Sequence, residues 1–241
     1  MEQPSKAFVL HTIKYGETSV ILHCYTQRHG VRVFIVKGVR SAKRNKAFSM
    51  GMFQPLTQLE VVATTPKRSG LSVLKSAKIT NPYTTVNVEI TKSSVCMFLA
   101  EVLRSVLNEE EENLALYAFL EHAFYWLDTQ KQTANFHLFV LIHLTKYLGF
   151  FPEVTSVSYP YFDLQSGQFS EHAESKDCIG GGEIVLLKQY LGIKFDRIQT
   201  VLISSEQRRK LLNVLLQYYH LHIQDFKTPK SLEVLYEVFH K

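Results

Sequence analysis

The chain has 241 residues, 46% of them hydrophobic and 20% charged, with a net charge of +5. That is material for one large or two small cored domains, and it excludes a disordered or fibrous chain. Its longest nearly uncharged apolar run, Ala134–Leu144, is too short to span a bilayer and is interrupted by His137 and His143. Met1–Leu10 lacks a basic-then-apolar leader, so a soluble, cytoplasmic protein without a membrane partner is expected. Cys24, Cys96 and Cys178 stand far apart with no C-x-x-C pair, which argues against a disulfide framework, a four-cysteine zinc site and an activated thiol.

The modest net charge hides an asymmetry. Met1–Thr80 carries 13 Lys/Arg against only Glu2, Glu17 and Glu60, a net +10, whereas the remainder carries 14 basic and 19 acidic residues, a net −5. A basic first third on a mildly acidic remainder is the footprint of a nucleic-acid-binding domain joined to something else.

In chain order, the first 80 residues read as strands. Ala7–Ile13, Ser19–Tyr25, Val31–Val36, Leu56–Ala63 and Leu71–Ile79 are short, rich in Val, Ile, Leu, Phe and Thr, and several alternate with period two. Tyr15-Gly16, His29-Gly30, Gly38, Pro66 and Ser69-Gly70 separate them. Five strands at this spacing suit a small barrel, of which the OB-fold is one architecture.

After Pro82 the period becomes helical. Val95, Phe98, Leu99, Val102, Leu103 and Val106 form one stripe, and Leu116, Leu120, Ala123 and Leu127 form another after the acidic turn Glu109–Glu112. Phe136–Leu148 is apolar nearly all round, as befits a central helix, and ends at Gly149 and Pro152. Glu153–Gly182 reads as an irregular lobe, with Gly180-Gly181-Gly182 as a flexible joint. Helices resume at a capping box, Ser204-x-x-Gln207, and a last helix is expected from Thr228-Pro229. The fold class is thus α+β: an N-terminal five-stranded OB-fold barrel over residues 1–80, then an all-α domain over 81–241, with 153–182 as an inserted lobe.

Candidate binding residues follow from charge density. Lys37, Arg40, Lys43, Arg44 and Lys46 lie within ten residues beside Gly38 and Phe48, as a loop that could follow a phosphate backbone. Arg28, Arg32, Lys67 and Arg68 are secondary DNA contacts. Tyr25, Phe34 and Phe48 are stacking candidates, but core packing is the better reading of each. The ten histidines give no metal set: His220 and His222 diverge on one helix, as do His137 and His143. Gly180-Gly181-Gly182-Glu183 lacks the spacing of a phosphate loop. No catalytic residue, cofactor or metal is expected.

Several stretches, in order, resemble the RecO family. Val9-Leu10 leading into Tyr15-Gly16-Glu17-Thr18-Ser19, then Tyr25-Thr26 and Gly30, is similar to its opening; Lys37-Gly38-Val39-Arg40, Lys43-Arg44 and Gln54-Pro55-Leu56 are similar to its basic loop and the exit from it. Phe136–Leu148 with Gly149-Phe150 and Pro152 resembles its central helix; Tyr218-Tyr219, Leu221-His222 and Lys230-Ser231-Leu232 resemble its C-terminal segment. The resemblance implies a non-enzymatic recombination mediator at the nucleoid. It would bind single- and double-stranded DNA, anneal strands, engage the acidic C-terminal tail of the single-stranded-DNA-binding protein (SSB) and cooperate with a RecR-type protein and, indirectly, RecA. Arg208, Arg209 and Lys210, with Arg104 and Lys146 as weaker members, would form a cationic rim for that tail. Many RecO proteins carry a four-cysteine zinc module where this chain has only Cys178 and His172, so the metal is not carried over. An OB-fold RNA-binding module, and a metal-dependent nuclease using carboxylates of the second half, are the alternatives.

Overall fold

The computed structural model describes residues 3–41, 48–64, 71–107 and 111–239. The chain divides into two compact units, the first made of Met1–Phe119 with Pro229–Ser231, the second of Leu120–Thr228 with Leu232–Lys241.

The first unit is built on a closed barrel of β1 (Ser5–Tyr15), β2 (Ser19–Thr26), β3 (Gly30–Val36), β4 (Gln58–Thr64) and β5 (Ser72–Ile79), in the order β1-β2-β3-β5-β4. All neighbours are antiparallel except β3 and β5, the one parallel pair, which closes the ring. Period-two alternation sends Ala7, Val9, Val20, Leu22, Cys24, Phe34, Val36, Leu59, Val61 and Leu74 inward. Phe48 and Phe53, with ring centroids 6.1 Å apart, join the same core. The tight β1–β2 turn needs the positive φ of Gly16 (58°), which a side chain would oppose.

A register shift between Val9 and His11 breaks the alternation of β1. Before it, odd-numbered Ala7 and Val9 point inward; after it, Thr12 pairs with the interior Leu22, and His11 pairs with His23 on the outer surface. Such a bulge re-aims side chains without ending the strand.

Helix α1 (Ile90–Val106) buries Val95, Phe98, Leu99, Val102, Leu103 and Val106, the stripe expected from the spacing. Helix α2 (Leu114–Thr129) starts where Asn113 Oδ1 accepts the Leu116 amide at 2.9 Å. Its Tyr117 packs on the outward rings of Phe8 and Tyr25, at 5.1 and 5.9 Å. The Glu101 carboxylate accepts the amides of Lys230 (2.5 Å) and Ser231 (3.3 Å).

In the second unit, α3 (Phe136–Leu148) is buried on all sides but for a few positions and ends on Gly149, a left-handed cap at φ 85°. Around it stand α4 (Gly181–Leu191), α5 (Ser205–His222) and α6 (Leu232–Val238). Tyr219 Oη donates to the Leu141 carbonyl at 2.8 Å, tying α5 to α3. A three-stranded sheet of β6 (Tyr161–Asp163), β7 (Gln168–Ser170) and β8 (Cys178–Ile179), ordered β7-β6-β8, occupies the segment that reads as irregular; Phe162, Leu164 and Phe169 are its buried side chains.

Two local expectations are corrected. Gly180-Gly181-Gly182 is no flexible joint; it opens α4, whose Ile184, Leu187, Tyr190 and Leu191 are buried at helical spacing. The last helix starts at Leu232 rather than at Pro229, because the amides of Lys230 and Ser231 are already held by Glu101.

The capping box that opens α5 is present in full: Ser204 Oγ accepts the Gln207 amide at 3.1 Å, and Gln207 Oε1 accepts the Ser204 amide at 2.9 Å. Removing the hydroxyl with Ser204→Ala should destabilise the second unit by about 1 kcal/mol. Chemical denaturation followed by circular dichroism checks this, and Ser204→Asp should restore most of the loss.

Candidate nucleic-acid interface and tail groove

The basic segment begins at the end of β3. Gly38 turns the chain at φ 71°, Val39 is buried, and Lys37 is exposed. Arg40 is tied to the β1–β2 turn twice: its amide donates to the Thr18 carbonyl at 2.8 Å, and its Nη1 donates to the Gly16 carbonyl at 3.2 Å. Lys37 and Arg40 therefore share one end of the barrel. Lys14, exposed on β1 next to this turn, adds a third cation there, and Tyr15, 51% exposed, adds the ring that base stacking requires. Neither was singled out from sequence, although both flank Gly16, the turn the sequence marks.

Arg28 lies in the β2–β3 turn, at the opposite end, with Nη1 donating to Gln3 Oε1 at 2.5 Å. Arg32 is half-buried on β3, in register with the interior Cys24. Lys43, Arg44, Lys46, Lys67 and Arg68 fall outside the described residues. Tyr25, Phe34 and Phe48 are buried and serve as core, not as stacking surfaces. Burial also pushes the Cys24 thiol well up, which leaves it unreactive.

The second unit carries an apolar groove. Leu212, Leu235, Tyr236, Phe239 and His137 give it an apolar floor, and Ser205, Glu206, Arg208 and Arg209 line it from α5. Positions 205, 208, 209 and 212 share a helical face by spacing. Lys210 turns away from it and pairs with Glu206 at 2.9 Å. Lys146 is exposed on α3 and is not among the lining residues. Arg104 belongs to α1 of the first unit, where its charge acts on His11 and His23.

The two groove arginines are held in different ways. Arg208 is half-buried: its Nε donates to Asn135 Oδ1 at 3.1 Å and its guanidinium stands 5.6 Å from the Phe239 ring. Asn135 is fixed in turn, its Nδ2 donating to the Val201 carbonyl at 2.7 Å. Burial lowers the pKa of Arg208, but a guanidinium remains charged. Arg209 stacks over Tyr236 at 4.6 Å, and Tyr236 Oη donates to Asn213. His137 is pushed down to about 3, by burial first and by Arg208 second, so it is neutral at physiological pH. The groove thus offers two oriented cations, beside a Glu206 paired with Lys210, above an uncharged floor. That suits an acidic peptide ending in an apolar or aromatic residue. The tyrosine, the phenylalanine and His137 escape a reading of the sequence, because Tyr236 and Phe239 sit in and just after α6 whereas His137 belongs to α3.

Cys178 Sγ donates to Asp163 Oδ2 at 3.8 Å, Asp163 also accepts the amides of Gln165 and Ser166, and among the described residues no three His, Cys, Asp or Glu side chains gather as ligands. His220 bonds Thr228, and His222 stacks on Phe150 at 4.9 Å, so both are structural. Among the described residues no helix is long and apolar enough to cross a membrane.

Family models described as Recombination protein O N terminal and Recombination protein O C terminal match residues 1–83 and 88–232. The chain is 41% identical to the DNA repair protein RecO of Christiangramia forsetii over 235 residues, covering 98% of each chain. It is 40% identical to that of Flavobacterium psychrophilum, over 99% of this chain and 100% of the relative. To the Bacteroides fragilis protein it is 34% identical, with the same coverage. A barrel joined to a helical unit, both family models in their proper order and relatives matched from end to end make this chain a member of the RecO family.

Proposed function

We propose that this chain is a DNA-binding recombination mediator, in which a barrel domain (1–80) and a helical domain (81–241) divide the work. The barrel domain holds single- or double-stranded DNA through its basic end, with Lys37 and Arg40 leading and the neighbouring Lys43, Arg44 and Lys46 continuing the track. Neutralising phosphates lets two complementary strands approach and anneal. The helical domain finds DNA already coated by SSB, taking that protein's acidic, aromatic-ended tail in the groove under Arg208 and Arg209. From there a RecR-type partner and, through it, RecA would gain access to the strand in the cytoplasm. No step needs a catalytic group.

The observation that carries this reading is the arginine-rimmed apolar groove in the acidic part of the chain. A net −5 after Thr80 repels an acidic tail overall, so binding demands a local reversal of sign beside an apolar floor. The relatives' description as DNA repair proteins supports the DNA half of the proposal.

Reversing both arginines, Arg208→Glu with Arg209→Glu, should weaken binding of an SSB tail peptide roughly tenfold or more, about 1.4 kcal/mol. Annealing of naked complementary strands should stay near normal. Calorimetry with the peptide and a fluorescence annealing assay check the two halves; equal loss of both activities would point to a shared surface or to misfolding. For the barrel, changing Lys37, Arg40, Lys43 and Arg44 together to Ala should weaken single-stranded DNA binding. If about five phosphates are neutralised, the parent should lose log affinity against log salt with a slope near −3 to −4, and the variant should show a flatter one. An unchanged slope would move the DNA site off this loop, and competition by RNA of the same length would favour an RNA-binding role.

A further inference from the structure

The register shift in β1 has one outward result: it turns His11 out of the barrel. There it stands directly across from His23 of β2, with ring centroids 6.2 Å apart and planes at 49°. Both rings are half-buried rather than free on the surface. Arg104, exposed on α1, acts electrostatically on both. Two imidazoles thus share one patch of the outer barrel face, within electrostatic reach of a guanidinium. Their mutual repulsion, added to partial burial, leaves them short of a negative partner.

The remaining neighbours sharpen this. The register partner of His23 on β3 is Val33, which carries no charge, and β4 pairs with β1 only over Ser5–Phe8, short of His11. Among the described residues Glu101 of α1 is the one acid acting on His11, and its carboxylate is already accepting the Lys230 and Ser231 amides. An anion that reached the patch would meet three donors against that single, hydrogen-bonded carboxylate.

We propose that His11, His23 and Arg104 form a phosphodiester-binding contact on the outer face of the barrel, one that takes up protons as it binds and so tightens on nucleic acid as the pH falls. It rests on the reading that the barrel domain holds DNA, and adds a contact away from the basic loop. In the free protein both histidines titrate below their ordinary value, through burial first and Arg104 second, so at neutral pH they are mostly uncharged. A phosphate set opposite reverses that balance by favouring the imidazolium forms. The sign is fixed: the contact gains strength as pH drops through the bound-state pKa values, and contributes little above them.

The test uses the full chain and an oligothymidylate at constant salt. Affinity should rise about three- to tenfold between pH 8 and pH 6, since one to two added charges each gain a phosphate partner. In the double variant His11→Gln, His23→Gln, affinity at pH 8 should fall by less than about twofold and this rise should vanish. Arg104→Gln should weaken binding at both pH values and make the salt slope shallower by about one phosphate. Imidazole resonances of His11 and His23 in the parent protein should titrate higher with oligothymidylate present, and by less with inorganic phosphate. A pH dependence that survives in the folded double variant, or histidine titrations that oligothymidylate leaves unmoved, overturns the contact while leaving the barrel reading intact. Should the double variant fail to fold, the parent titrations and Arg104→Gln decide. Failure to bind DNA at either pH overturns both.

Discussion

Five strands closed into a ring leave no edge to pair with another chain, but the ring accepts only one face of each strand. The interior is filled by Val20, Leu22, Phe34, Leu59 and their neighbours, so the exposed cations of the barrel among the described residues, such as Lys14 and Lys37, stand on the outer face or at the rims. Thirteen basic residues within an 80-residue segment give it a higher charge density than the same number spread over a large domain would. Lys14, Lys37 and Arg40 meet at one rim because β1 ends, β2 begins and β3 ends there. The bulge in β1 follows from the same constraint: once Val9 points inward, only an inserted residue can turn His11 outward.

The helical unit solves a different problem. Its central helix is apolar nearly all round and cannot face water, so α4 and α5 must cover it. Covering helices have their own outer faces, and the groove opens where α5 and α6 bring Leu212, Leu235, Tyr236 and Phe239 together. Arginine suits its rim better than lysine would. A guanidinium lies flat over Phe239 or Tyr236 and still donates sideways, whereas an ammonium would give up either the ring or its hydration. Asn135 fixes Arg208 before any ligand arrives, and pre-organisation of that kind reduces the ordering cost of binding.

The strands, the central helix and the α5 capping box were legible in the amino-acid sequence, because each is a local pattern: period two, an unbroken apolar surface, or a Ser-x-x-Gln spacing. What escaped was decided by partners distant in the chain or by a conflict between local signals. Three glycines, poor helix formers, hid the Ile184–Leu191 stripe of α4. Glu101, 129 residues before Lys230, sets where α6 can begin. Arg208 and Arg209 were found as a dense cluster, yet the separation of Lys210 from them was also readable: a helix turns about 100° per residue, so 210 leaves the face shared by 205, 208, 209 and 212. The bulge at Leu10 had no sequence signal, and with it the pairing of His11 and His23 was hidden.

The two proposed sites should part company in salt. Contact with DNA replaces several condensed counterions, so its affinity falls steeply as ionic strength rises. The groove engages a peptide through two arginines, one half-buried, above an apolar floor whose contribution salt does not screen. Raising salt should therefore release naked DNA well before it releases an SSB tail. A mediator built this way would stay with the coat protein while letting go of bare strands, which is the order that delivery to SSB-covered DNA requires. Peptide and oligonucleotide affinities measured on one preparation across a salt series check this, and equal slopes for the two ligands would mean that the groove is held together by charge alone.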